Sequence, residues 1–150
     1  RKWRWRDIFV SNHKGWKEIV NKMKLGKQQC VELIANIRVE RNQFIENYFN
    51  EYGEILLHVL AGDLITEPLI ELLRWNKQTE LITEYCNLIE QMWREGNDDV
   101  INVVDVTILE RLSDDDKIWY RFGNYISDEF KRYINEEQIP NNLMMPKRFL

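Results

Sequence analysis

Residues that usually announce chemistry are scarce in this chain. Two histidines, His13 and His58, occur in 150 residues, and His13 has no obvious catalytic partner near it. The two cysteines, Cys30 and Cys86, sit inside apolar helical patterns and form neither a C-x-x-C pair nor a disulfide framework. Free buried thiols are therefore expected, in a reducing compartment such as the cytoplasm. No glycine-rich phosphate cradle and no serine elbow is present, which removes nucleotide-binding loops and the common hydrolase nucleophile. Apolar runs stay well short of the roughly 18 residues of a membrane span. The most apolar stretch, 55–75, is interrupted by His58, Asp63, Glu67, Pro68 and Glu71. No apolar segment follows Arg1-Lys2-Trp3-Arg4-Trp5-Arg6, so neither a signal peptide nor a membrane partner is expected.

What is present is apolar mass at helical spacing. Hydrophobic residues make up 44% and aromatics 12%, enough to fill one core and to exclude a disordered chain. Within 77–95, Leu81, Ile82, Tyr85, Leu88, Ile89, Met92 and Trp93 form one apolar stripe, closed by Gly96-Asn97. Asn97 is placed to cap the next helix, over 100–112, with Asp98 and Asp99 in its first turn. That segment is rich in β-branched residues, yet Ile101, Val104, Ile108 and Leu112 keep helical spacing. Ser113 and Asp116 resemble a capping box for a last helix running to about Asn135.

Upstream, 27–37 and 39–52 read as two helices, the second ended by Gly53. Segments 55–61 and 68–75 are apolar nearly all round and are predicted as two central helices, with Thr66 capping the second and Pro68 in its first turn. Trp16, Ile19, Val20 and Met23 suggest a short helix earlier still. The expected architecture is all-α, an antiparallel bundle or short solenoid-like stack of about six to seven helices. Organisation follows composition: a basic, Trp-rich leader over 1–26, a helical core over 27–137 and an irregular tail over 138–150, in one domain.

The net charge of −4 conceals an asymmetry. Residues 1–30 carry nine Lys/Arg against two acids, whereas 31–150 carry twelve against twenty-three. Such an acidic body repels nucleic acid and steers basic proteins toward it. The leader could stack on nucleic acid or lie on a membrane surface; six residues beside an acidic body are a small patch, and packing onto the domain is the preferred reading.

One grouping suggests metal-dependent catalysis. Glu54 and His58 share a helical face, and Asp63 follows, so the three are candidate metal ligands of a metal-dependent hydrolase. The competing reading, preferred here, makes His58 a buried, hydrogen-bonded core residue and Asp63 a helix cap, leaving no metal, cofactor or enzymatic role. The acidic clusters 98–99, 114–116 and 136–137 fall at expected helix boundaries, and the helix dipole accounts for the first two. Glycosidic acid/base work would need a pair held in a cleft, so a solvated face is the preferred reading.

Two stretches carry a resemblance: Gly53-Glu54-Ile55-Leu56-Leu57-His58-Val59-Leu60-Ala61-Gly62-Asp63-Leu64, followed by Glu71-Leu72, and Ile89-Glu90-Gln91-Met92-Trp93-Arg94-Glu95-Gly96-Asn97-Asp98-Asp99-Val100, leading to Val103-Val104 and Ile108-Leu109-Glu110. With them, residues 28–137 resemble an uncharacterised family of small helical bacterial proteins encoded beside polymorphic or contact-dependent toxins. Leu57 stands where that family has proline. The resemblance implies an immunity protein that neutralises a cognate toxin by direct contact, and the charge suits a basic toxin such as a nuclease. The expected contacts are Glu51, Glu54, Asp63, Glu67, Asp98, Asp99 and Asp105, with Tyr52 and Trp75 as aromatic anchors. A non-catalytic adaptor is the rival reading, and the metal-dependent hydrolase a third.

Overall fold

The computed structural model describes residues 24–37, 42–52, 56–138 and 149. Expectations for the leader helix, Gly53, Glu54, the Tyr52 side chain and nearly all of the tail fall outside those residues. Among the described residues seven helices make up an all-α bundle: α1 (Lys27–Ile37), α2 (Asn42–Tyr52), α3 (57–75), α4 (Thr79–Glu95), α5 (98–112), α6 (Asp116–Gly123) and α7 (128–138). No strand occurs among the described residues. A lone parallel bridge joins Leu25 to Gly96, with hydrogen bonds from Leu25 N to the Glu95 carbonyl and from Asn97 N to the Leu25 carbonyl.

The first departure from expectation lies at the centre. The two helices predicted over 55–61 and 68–75 are one continuous helix, α3, whose backbone stays right-handed through Ala61, Gly62, Thr66 and Glu67. Pro68 has no amide to donate, and its ring would press on the carbonyl four residues back, that of Leu64, in a straight α-helix. The helix responds by widening just upstream. Over Gly62–Thr66 the bonding shifts to five residues, with the Glu67 amide reaching the Gly62 carbonyl. Thr66 is consequently no cap. It is buried and turns its hydroxyl back onto the Ala61 carbonyl at 3.3 Å. Asp63 caps nothing either; it lies inside the wide turn and is exposed.

α5 contains a second wide turn, Val103–Leu109, where the Glu110 amide reaches the Asp105 carbonyl. Its start matches the sequence reading, for Asn97 Oδ1 accepts the Val100 amide at 3.0 Å. The two wide turns pack against each other. Gly96 is essential here for space, not for a left-handed backbone: it is extended, and a Cβ would come within 2.2 Å of the Met92 carbonyl and 2.6 Å of Val100 Cγ1.

The single C-terminal helix expected to follow residue 113 is in fact two. Asp115, not Ser113, caps α6 by accepting the Ile118 amide at 3.1 Å, while Ser113 Oγ donates to the Glu110 carbonyl and closes α5. The chain turns at Gly123-Asn124, and Ser127 caps α7 by accepting the Phe130 amide. Glu90 of α4 clamps that corner by accepting from both Ser127 N (2.6 Å) and Ser127 Oγ (2.9 Å). Burying Trp119 and Phe122 on one side of α6 and Phe130 and Ile134 on α7 requires this bend. Of the tail beyond α7 only Phe149 is described, outside any helix: it is buried, stacks on Trp119 with centroids 4.5 Å apart, and exchanges two hydrogen bonds with the Asn135 side chain.

Among the described residues, left-handed backbone at non-glycine positions occurs in the α3–α4 turn. Asn76 and Gln78 both adopt left-handed conformations, at φ 51° and 55°. Asn76 is eased by Tyr125, whose hydroxyl donates to Asn76 Oδ1 at 3.0 Å. Arg121 completes the corner, donating to the Leu73 and Arg74 carbonyls at the end of α3. Gln78 has no such support, and a non-glycine residue there costs about 1–2 kcal/mol. Gln78→Gly is expected to raise stability by about 0.5–1 kcal/mol after glycine's own entropic cost. Gly96→Ala is expected to lose about 3 kcal/mol through overpacking. Urea titration of the two variants beside the parent chain checks both.

Candidate functional site

Four-residue steps along α3 pick out a line of exposed side chains: Val59, Asp63, Glu67, Glu71 and Trp75. In an unbroken α-helix each such step drifts by about 40°, so a line this long would wind around the axis. The wide turn at Gly62–Thr66 fits more residues into a turn and takes out part of that drift, straightening the line into a ridge. Its two ends are apolar, with Val59 44% and Trp75 67% exposed. Between them stand three carboxylates. Glu67 pairs with Arg111 at 3.2 Å and Glu71 with Arg74, whereas no described cation pairs with Asp63.

The ridge runs into a groove of about 650 Å³ between the end of α3 and the start of α4. Pro68, Leu72, Leu81 and Tyr85 form its apolar surface, with Trp75 as a wall. Glu71, Lys77 and the strained Gln78 line its polar edge. On α4, the exposed Glu80 and Glu84 stand immediately before Leu81 and Tyr85 in the chain.

Of the residues predicted from sequence, Asp63, Glu67 and Trp75 are thus brought together. The others are dispersed. Glu51 is exposed on α2. Asp98 and Asp99 occupy the first turn of α5 beside the Leu25–Gly96 bridge, exposed and without a described ion-pair partner. Asp105 is no open contact: it is partly buried, and the Tyr133 hydroxyl donates to its two oxygens at 2.9 and 3.0 Å. The groove itself escaped the sequence reading. Its one local signal is the polar run Asn76-Lys77-Gln78 between two apolar helices, which marks a turn but not a cleft.

His58 differs from expectation as well. Its ring is exposed and hydrogen-bonded through Nδ1 to Thr107 Oγ1 of α5, where the two wide turns meet. It is a surface strut between helices, not a core histidine. Among the described residues no three His, Cys, Asp or Glu side chains are grouped to hold a metal ion, and Glu54 lies outside them. The thiols are poor nucleophiles: burial pushes Cys30 up to about 12, and burial together with the nearby Glu90 raises Cys86. No described helix is long and apolar enough to cross a membrane.

Asp105 titrates abnormally. Burial pushes its carboxyl up to about 6; the Tyr133 hydrogen bond opposes this, and the Glu137 charge adds to it. An unfolded aspartate releases its proton near 4, so between about pH 4 and 6 the folded state binds the proton more tightly. Stability contributed by this group is full below pH 4 and is lost as the pH rises through 6. Asp105→Asn, which keeps an acceptor for Tyr133, is expected to stabilise the protein at pH 7 by about 1–2 kcal/mol after solvent screening, and by nothing at pH 4. Thermal melts of both proteins between pH 4 and 7 should diverge steadily; parallel curves would refute the assignment.

Neither the curated proteins nor the solved structures include a match to this chain. One family does match it, over residues 27–141, which span the described helices. The chain belongs to that family, described as a domain of unknown function, DUF7674.

Proposed function

We propose that the chain is a non-catalytic binding domain of the immunity type, which neutralises a basic toxin domain in the cytoplasm by docking along the α3 ridge. The observation that carries this reading is the ridge itself: three carboxylates in line between exposed Val59 and Trp75. The described residues hold twenty-one Asp/Glu against ten Lys/Arg, a net charge of −11, so a basic partner is drawn from a distance and oriented before contact. Apolar groups at both ends supply the buried anchors that charge alone does not, because exposed ion pairs each contribute little. The resemblance of 53–64 and 89–100 to toxin-associated proteins supports a toxin as the partner.

The test is co-expression with the protein encoded by the adjacent gene, followed by co-purification and a toxicity assay. Pairing Asp63→Lys with Glu71→Lys is expected to weaken the complex at least a hundredfold. Reversing Asp98 and Asp99 should act chiefly on the association rate, through the overall field. Both effects should shrink as salt is raised from 0.05 to about 0.5 M. An adjacent protein that neither binds nor is neutralised removes the immunity reading, and a different partner bound through the same ridge would make the domain an adaptor.

A further inference from the structure

The groove at the foot of the ridge has chemistry of its own. Pro68, Leu72, Leu81 and Tyr85 give it an apolar part beside a polar edge. Its wall is the most exposed large hydrophobic side chain described, and its volume of about 650 Å³ can take a large side chain. Glu71 and Lys77 line it, Glu71 paired with Arg74. On α4 the exposed Glu80 and Glu84 each directly precede a lining residue, Leu81 and Tyr85, which tips the local charge toward acidic. An acidic or uncharged chain would meet that field unfavourably or gain nothing from it. A segment that alternates Lys or Arg with a large apolar residue would satisfy both parts at once.

Turn geometry supports a role beyond packing. Gln78 holds a left-handed backbone at the groove's edge without the tyrosine contact that eases Asn76, and strain of this kind persists where the surrounding structure fixes it. Arg121 ties down the Leu73 and Arg74 carbonyls, the backbone immediately before Trp75. The cleft is thus preformed, and a guest need not reorganise it.

We infer that this groove seats a large apolar side chain from a lysine- or arginine-rich segment of a protein partner, its flanking cations meeting Glu71, Glu80 and Glu84. The inference rests on the proposed docking of a basic partner and narrows it to one socket and one kind of segment. The cations steer and orient, while the apolar residue on Trp75 and Leu81 sets the lifetime of the complex.

Three synthetic peptides test it against the full chain by calorimetry at low salt: Lys-Lys-Leu-Lys-Lys, Lys-Lys-Ser-Lys-Lys and Glu-Glu-Leu-Glu-Glu. The first should bind at least tenfold more tightly than the second, and the third should not bind. Trp75→Ala, a change at an exposed site that leaves the core intact, should erase the preference for leucine over serine. Glu71→Lys should weaken both basic peptides. Equal binding of the first two, or an unchanged preference in Trp75→Ala, overturns the socket. So does a concentration-dependent dimer that Trp75→Ala disperses, since the occupant would then be a second copy. Peptide binding that appears only after Arg1–Arg6 is deleted overturns it too, the occupant being the chain's own leader. The socket and the immunity reading fail separately: a toxin held at full strength by Trp75→Ala removes the first, and peptide selectivity without any toxin neutralisation removes the second.

Discussion

The missing amide of Pro68 is the constraint from which much else follows. A proline far from a helix start either breaks the helix or forces its backbone to adapt. Here the surrounding residues, Leu60, Ala61, Leu64, Ile65, Leu69 and Leu73, are buried on both sides of it, so a break would expose apolar surface that the core has already claimed. Widening at Gly62–Thr66 keeps the helix whole. It also resets the rotation of everything downstream, so that Glu67, Glu71 and Trp75 continue the line begun by Val59 and Asp63. A packing solution in the interior has written a straight pattern on the surface.

That pattern meets two others at its far end. Arg121 and Tyr125 reach across from α6 and its following turn to hold the α3–α4 corner. Their hold eases the left-handed Asn76 and ties the end of α3 to α6, beside the groove that Trp75 walls. At the near end, the His58–Thr107 hydrogen bond ties α3 to the second wide turn in α5. The ridge is therefore braced at both ends by other helices, and its geometry belongs to the bundle more than to α3 itself.

Helical content was legible because period and caps agree with each other. The α4 stripe buries Ile82, Tyr85, Leu88, Ile89 and Met92 as its spacing predicts, and Asn97 caps α5 as its chemistry predicts. Errors arose where one residue had two physical uses. Pro68 and Thr66 suit a helix start, yet they also suit a wide turn, and only the buried surroundings distinguish the two. Ser113 suits a cap, but Asp115 is two residues nearer Ile118 and takes its amide. Ser127 passed unnoticed because the apolar spacing continues across the bend from Phe122 to Phe130. For the site, charge and exposure of Asp63, Glu67 and Trp75 could be read along the chain; the groove could not, because its two walls meet only through the α3–α4 turn.

The interior thiols have a further consequence. Cys30 and Cys86 lie at zero exposure on α1 and α4, two helices that pack together. Burial raises both thiols far above neutral pH, so the thiolate is scarce in the folded chain. Burial and a raised pKa both slow attack by oxidants and electrophiles on the two sulfurs. Their reaction rate with a thiol reagent becomes a clock for the opening of the α1–α4 seam, a built-in measure of local unfolding that needs no added label.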